Sequence, residues 1–253
     1  MSLLRKIEQL FGNFTVHNGI VVLTYHRVND ALPRSALVVD PKEFSAQMLF
    51  LSAYRNAFQI IGVDEMLGWF NHAPMKDNKK TKIVITFDDG YKDNYTHAFP
   101  VLRKYCFPAT IFLTTGRINS EGKEYLNTSE IDEMMRAGIT FGAHTRTHPY
   151  LSRIDTKQIN EELADSHRAL ENIAGKQSVP FCYPYGDYNE YVKNTVKATG
   201  FSCAFSVSPG INYPGQDIFE IKRIDILGND NFSSFKYKIT DKYENSCVPL
   251  NRG

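Results

Sequence analysis

Short apolar runs alternating with helical patterns constrain this chain more than any other feature. Residues 20–25, 82–87, 109–114, 139–142, 181–183 and 203–207 read as strands, most of them bounded by turn residues. The longer runs are apolar almost throughout, which is the pattern of strands covered on both faces. Helices lie between them. Residues 41–54 follow Asp40, a cap with proline at the first helical position. Residues 129–137 are expected to be capped by Thr128 or Ser129 and to stop at Gly138. Residues 155–174 carry Ile159, Leu163, Leu170 and Ile173 on one face and stop at Gly175, and 188–199 stop at Gly200. This repetition points to an α/β fold around a parallel sheet. A (β/α) barrel, regular or distorted, is the first choice and an open doubly wound sheet the second.

Composition narrows the function. The 253 residues carry 29 Lys+Arg against 28 Asp+Glu, a net charge of +1 that argues against gripping nucleic acid by bulk electrostatics. No run reaches the about 18 apolar residues of a spanning helix. No GxGxxG follows the first strand and no GxxxxGK[ST] is present, so a nucleotide site has no support. Cys106, Cys182, Cys203 and Cys247 form no CxxC pair and are expected to be reduced, individually buried thiols. Leu3, Leu4, Ile7, Leu10 and Phe11 form a stripe opposite Arg5, Lys6 and Glu8. Residues 1–19 therefore read as an amphipathic helix and lead-in packed on a single domain of residues 20–253, with peripheral membrane contact as the alternative. The start lacks an export signal, so a cytoplasmic protein, at most peripheral to the inner face of the membrane, is expected. Residues 72–80 read as a polar loop. His17, His72, His97 and His167 are expected at the surface or on local partners, and Phe232, Phe235, Tyr237 and Ile239 as a terminal packing helix.

Chemistry concentrates at the strand ends. The run Ile83-Val-Ile-Thr-Phe-Asp88-Asp89-Gly90-Tyr91 closes an apolar strand with two adjacent carboxylates and a glycine. Neighbouring strand residues point to opposite faces, so both acids converge only where the strand breaks into a loop. The run Ile139-Thr-Phe-Gly-Ala-His144-Thr-Arg-Thr-His148-Pro149 ends a second strand with histidines at i and i+4. If the chain turns helical there, both imidazoles face one side and can share a metal. Alone, each motif also reads as an ordinary polar turn. Together, two histidines and an aspartate make three protein ligands and leave coordination open for water and substrate, as in a catalytic zinc-type site. Residues 180–188, Pro-Phe-Cys-Tyr-Pro-Tyr-Gly-Asp-Tyr, form a stiff turn suited to aiming a backbone N–H at an oxyanion while aromatics stack on a sugar face. His26 and Arg27 end the first strand. In a barrel, all four motifs face one mouth.

TFDDG, then HxxxH, then a YPYG turn, in this order within residues 20–230, resembles the polysaccharide deacetylase superfamily (carbohydrate esterase family four). The resemblance implies a single-domain, distorted (β/α)7 barrel and a divalent metal, zinc first among them, held by Asp89, His144 and His148. It further implies that Asp88 is the general base and that the Tyr185 backbone N–H helps stabilise the oxyanion. Three features depart from the family pattern. Pro180, Phe181 and Cys182 stand where an arginine usually precedes the turn. Ile226-Leu227-Gly228-Asn229 stands in place of the late Leu-x-His, and the only tryptophan is Trp69. The poly-N-acetylglucosamine deacetylase branch is similar in lacking that late histidine and in carrying a Tyr-His pair on its first strand. By that analogy His26 is the general acid, and Arg223 replaces the missing arginine beside Asp88. Tyr183, Pro184, Tyr185 and Leu227 are expected to contact substrate.

These features predict a metal-dependent hydrolase that removes N-acetyl groups from amino sugars of a glycan or of a lipid- or nucleotide-linked precursor. Amide hydrolysis needs a polarised carbonyl, a nucleophilic water and a proton for the leaving amine. A metal supplies the first two, lowering the pKa of water to about 7. A deformylase or O-acetyl esterase on the same site, and a catalytically inactive carbohydrate-binding barrel, are the alternatives.

Overall fold

The computed structural model describes residues 19–72, 80–175 and 179–240. The expected N-terminal helix, His17, the His72 side chain, residues 73–79 of the polar loop and Cys247 lie outside what it describes. Ten strands occur among the described residues: β1 (Ile20–Tyr25), β2 (Arg27–Val28), β3 (Val38–Val39), β4 (Phe58–Ile60), β5 (Thr81–Phe87), β6 (Thr110–Leu113), β7 (Thr140–Ala143), β8 (Phe181–Cys182), β9 (Ala204–Phe205) and β10 (Ile224–Asp225). One parallel sheet runs β10-β1-β5-β6-β7-β8-β9, with β4 on β5. A parallel bridge between Phe205 and Ile221 ties β9 to the segment that enters β10, and β10 pairs with β1. The sheet thus curls on itself with helices outside, the distorted (β/α)7 barrel in a single domain.

Two-sided burial explains the continuous apolar strands. Val21, Leu23, Ile83, Ile85 and Phe87 pack with the outer helices, while Val22, Val84, Phe112 and Phe205 belong to a second core. Phe112 and Phe205 are not on neighbouring strands, yet their rings meet at 5.1 Å across the interior. Helix α1 (Pro41–Ala53) starts as expected, with the Asp40 side chain accepting from the Lys42 N–H. Two shorter helices, α2 (Val63–His72) and α3 (Phe99–Tyr105), were not anticipated. Helix α4 (Thr128–Arg136) is capped by neither Thr128 nor Ser129. Asn127 forms a reciprocal capping box with Glu130, satisfying two orphan N–H groups at once. Helix α5 (Thr156–Ala174) has Asp155 as its cap and Gly175 in the left-handed conformation at its end, and α6 (Glu190–Thr199) ends at Gly200 in the same way.

Other expectations shift. Strand β10 was missed because it has only two residues with no alternation to read. Helix α7 (Phe232–Lys238) buries Phe235, and Ile239 follows it into the core, but Tyr237 is exposed. Cys182 and Cys203 are buried free thiols, whereas Cys106 is exposed at the left-handed end of α3. His97 meets the Thr96 hydroxyl, and His167 is buried against Glu171 and Phe201.

Candidate active site

The carboxyl ends of β1, β5, β7 and β8 converge, and Arg223, the residue just before β10, reaches the same place. On β5 the ladder continues one residue past Phe87, where the Asp88 N–H donates to the Tyr25 carbonyl at 2.9 Å. The chain then turns through Asp89 (φ 72°) and Gly90 (φ 73°). At Gly90 the φ of 73° is one that residues with side chains rarely adopt, and a Cβ there would also press on Leu113 Cδ2 at 2.6 Å, so the turn favours glycine. The turn separates the adjacent acids: Asp88 is 2% exposed, and Asp89 sits half-buried nearer the surface.

Arg223 grips Asp88 in a two-pronged pair, Nη1 to Oδ1 at 2.7 Å and Nη2 to Oδ2 at 2.8 Å. Its Nε donates to the Ser206 carbonyl at 2.8 Å, which orients the fork. Burial pushes the Asp88 carboxyl up, but the charge and hydrogen bonds of Arg223 outweigh it and hold the group well below the usual carboxylate range. Asp88 is therefore ionised at neutral pH. The Cys182 thiol lies 3.6 Å from its Oδ2.

Asp89, His144 and His148 form a second cluster. His148 Nε2 lies 3.2 Å from Asp89 Oδ1 and 3.1 Å from His144 Nε2, and His144 Nε2 is 3.7 Å from the same carboxylate oxygen. All three ligand atoms lie within 4.8 Å of one another. The segment between the histidines is not helical as expected. It is a loop in which Thr145 (φ 63°) and His148 (φ 70°) are left-handed, and it brings the rings together at 4.7 Å between centroids. His144 Nδ1 meets the Cys182 carbonyl at 2.8 Å, the arrangement that fixes this nitrogen as the donor and frees Nε2 as a ligand. Burial is the main cause that lowers both histidines, to about 4, so both are neutral near pH 7. Burial also pushes the Asp89 carboxyl up. Two neutral imidazole nitrogens and a carboxylate oxygen converging from one side are a donor set that suits a zinc-type ion. A hydrogen bond from the Tyr91 hydroxyl opposes the rise at Asp89, and the Tyr91 ring lies under the Arg27 guanidinium at 4.1 Å.

The remaining candidates divide. The imidazole of His26 is near enough to Asp88, Asp89, His144 and Asp225 to affect their ionisation. Tyr185 is exposed and left-handed (φ 57°), stacked on Tyr150 at 3.9 Å and touching the His148 ring at 4.5 Å. Tyr183 and Pro184 are buried; the Tyr183 hydroxyl donates to the Phe219 carbonyl and its ring stacks on Tyr188, so both residues brace the turn from behind. Leu227 is half-buried, with its N–H donating to Asp230 Oδ2. Sequence reasoning missed Ser206, the Cys182 carbonyl and Glu162. Only Glu162 left a signal, a charged residue on the apolar stripe of α5.

A parallel barrel that gathers two histidines and two differently held aspartates at the carboxyl ends of its strands has the layout of a hydrolase. The family model for polysaccharide deacetylase matches residues 75–204. YxkH of Bacillus subtilis (strain 168), which carries the polysaccharide deacetylase name, is 32% identical over 216 residues, covering 85% of this chain and 74% of its own. A poly-β-1,6-N-acetyl-D-glucosamine N-deacetylase of Staphylococcus epidermidis is 28% identical over 242 residues, 86% of this chain and 82% of its own. Among solved structures, a polysaccharide deacetylase from Bacillus cereus superposes with a TM-score of 0.75 at 30% identity, over 88% of this chain and 69% of that one. The Streptococcus pyogenes deacetylase PplD shares the fold, with a TM-score of 0.79 at 23% identity over 87% of this chain and 98% of its own. The chain belongs to the polysaccharide deacetylase family.

Proposed function

We propose that the protein hydrolyses N-acetyl groups from amino-sugar residues of a glycan, using a divalent ion, zinc first among them, held by Asp89, His144 and His148. The observation that carries this reading is the convergence of those three ligand atoms next to a carboxylate kept ionised by Arg223. When bound, the ion supplies Lewis acidity toward the acetyl carbonyl and acidifies water. Asp88 takes a proton from the attacking water, an effect typically worth about 10²–10⁴-fold. Arg223 keeps Asp88 charged and fixes the direction of its lone pairs. The Tyr185 backbone N–H faces the developing oxyanion, and the turn braced by Tyr183 and Pro184 holds it there. His26 delivers a proton to the leaving amine. The Staphylococcus epidermidis relative, named for poly-β-1,6-N-acetylglucosamine, supports a polymer of N-acetylglucosamine as the first substrate to try.

The test is release of acetate from β-1,6-linked N-acetylglucosamine oligomers, alongside N-formyl and O-acetyl analogues, before and after chelation and zinc restoration. Chelator-sensitive acetate release restored by zinc is expected. Preferential release of formate, or of acetate only from the ester, would replace the N-acetyl assignment. No release from a zinc-loaded protein would favour a binding barrel.

A further inference from the structure

The loop that carries both histidines has an unfavourable backbone, because Thr145 and His148 sit in a region that residues with side chains rarely adopt. Such a conformation persists only where its surroundings over-determine it. Contacts from two sides do so. On the β6 side, the Thr115 N–H donates to the Thr145 carbonyl at 3.0 Å and the Gly116 N–H to the Arg146 carbonyl at 2.8 Å. A Cβ on Gly116 would stand 2.6 Å from that carbonyl oxygen, so only glycine permits the approach. On the α5 side a single carboxylate receives three of the loop's donors. The Arg146 and Thr147 N–H groups both donate to Glu162 Oε2 at 2.8 Å, and the Thr147 hydroxyl donates to Oε1 at 2.6 Å. Glu162 is 5% exposed, and the Arg146 Nε lies 3.8 Å from Oε1. Within the loop, the Thr145 hydroxyl donates to the His144 carbonyl at 2.6 Å and accepts from the His148 N–H at 3.0 Å.

We propose that Glu162 is a positioning residue that presets His144 and His148 to share one divalent cation. It touches neither the ion nor the imidazoles. It acts by holding the Arg146–Thr147 segment, whose converging N–H groups form a nest on the carboxylate. Without that acceptor, the Arg146 and Thr147 N–H groups lose the partner that pins them, and the strained loop relaxes toward ordinary dihedral angles. That relaxation separates two nitrogens now 3.1 Å apart. The proposal rests on the metal reading above. A residue that only anchored α5 would affect stability and leave the affinity for the ion alone.

The test titrates the full chain with zinc against a chromophoric chelator and records the cobalt(II) absorption spectrum. It compares the native protein with Glu162→Ala, Glu162→Gln and Thr147→Val. Glu162→Ala is expected to weaken zinc binding by about 10–100-fold and to alter the cobalt spectrum. Glu162→Gln keeps a carbonyl for the two N–H groups and an amide that can donate to the Thr147 hydroxyl, so it should recover most of the loss. Thr147→Val, lacking one of the three bonds, should fall between Glu162→Gln and Glu162→Ala. Native zinc affinity and spectrum in Glu162→Ala would overturn the proposal. Should that variant not fold, native behaviour in Thr147→Val would overturn it equally. A native protein that binds no zinc would sink the metal reading and this inference together, whereas native binding with an unaffected Glu162→Ala sinks the inference alone.

Discussion

The two sides of the mouth are built from opposite materials. The base side, Asp88 with Arg223, is a buried charge pair formed by residues far apart in the chain and held by direct side-chain hydrogen bonds. The ligand side, His144 and His148, comes from one short loop whose shape depends on left-handed residues and backbone hydrogen bonds. Charge holds one side, and dihedral angles hold the other. The difference teaches which damage each tolerates. A buried ion pair fails through an uncompensated charge, costing stability. A strained loop fails through loss of convergence, costing affinity for the ion.

The sharpest way to break the comparison is at a ligand. His144→Ala should abolish stoichiometric zinc, read by metal analysis of the purified protein, and reduce acetate release to background. Its Asp88–Arg223 pair should survive, so the metal-free variant should lose only the His144 packing and its bond to the Cys182 carbonyl, about 1–3 kcal/mol in urea unfolding. Full zinc occupancy in this variant would remove the ligand side from its place. Arg223→Gln comes next and tests the other wall. Leaving Asp88 buried without its partner should cost about 3–5 kcal/mol in urea unfolding, while zinc binding changes far less. Loss of zinc without loss of stability would mean that the two sides are not separate devices. The smallest effect is expected at Tyr185→Ala. Its stack on Tyr150 should be worth about 0.5–1.5 kcal/mol, and because its proposed role belongs to the backbone N–H, kcat should change little. A large fall in kcat with unchanged folding would assign the work to the ring.

Much of this was legible in the sequence because it is local. Strand β1 and the cap at Asp40 follow from contiguous residues, and the acids after Phe87 and the histidine pair after β7 announce themselves by spacing. The shape of the histidine loop was not legible. The i, i+4 spacing fits a helix equally well, and what decides against it is a set of partners on β6 and α5. Tyr183 and Tyr185 were both expected to contact substrate, and only packing against Tyr188 and Phe219 separates them. Arg223 could be named by analogy, but its two-pronged grip on Asp88 depends on the sheet closing through the short β10, which carries too few residues for any pattern. Glu162 left a trace as a charge on an apolar stripe, but its partners, the Arg146 and Thr147 N–H groups, could not be read from the sequence.

The most direct measurement pairs Asp88→Asn with the native protein at equal, full zinc occupancy and follows acetate release from N-acetylglucosamine oligomers. Asp88→Asn should keep its zinc and lose about 10²–10⁴-fold in kcat, since the ligands remain while the proton acceptor is gone. Acetate release at the native rate from the zinc-loaded variant would contradict the division of the two aspartates into base and ligand.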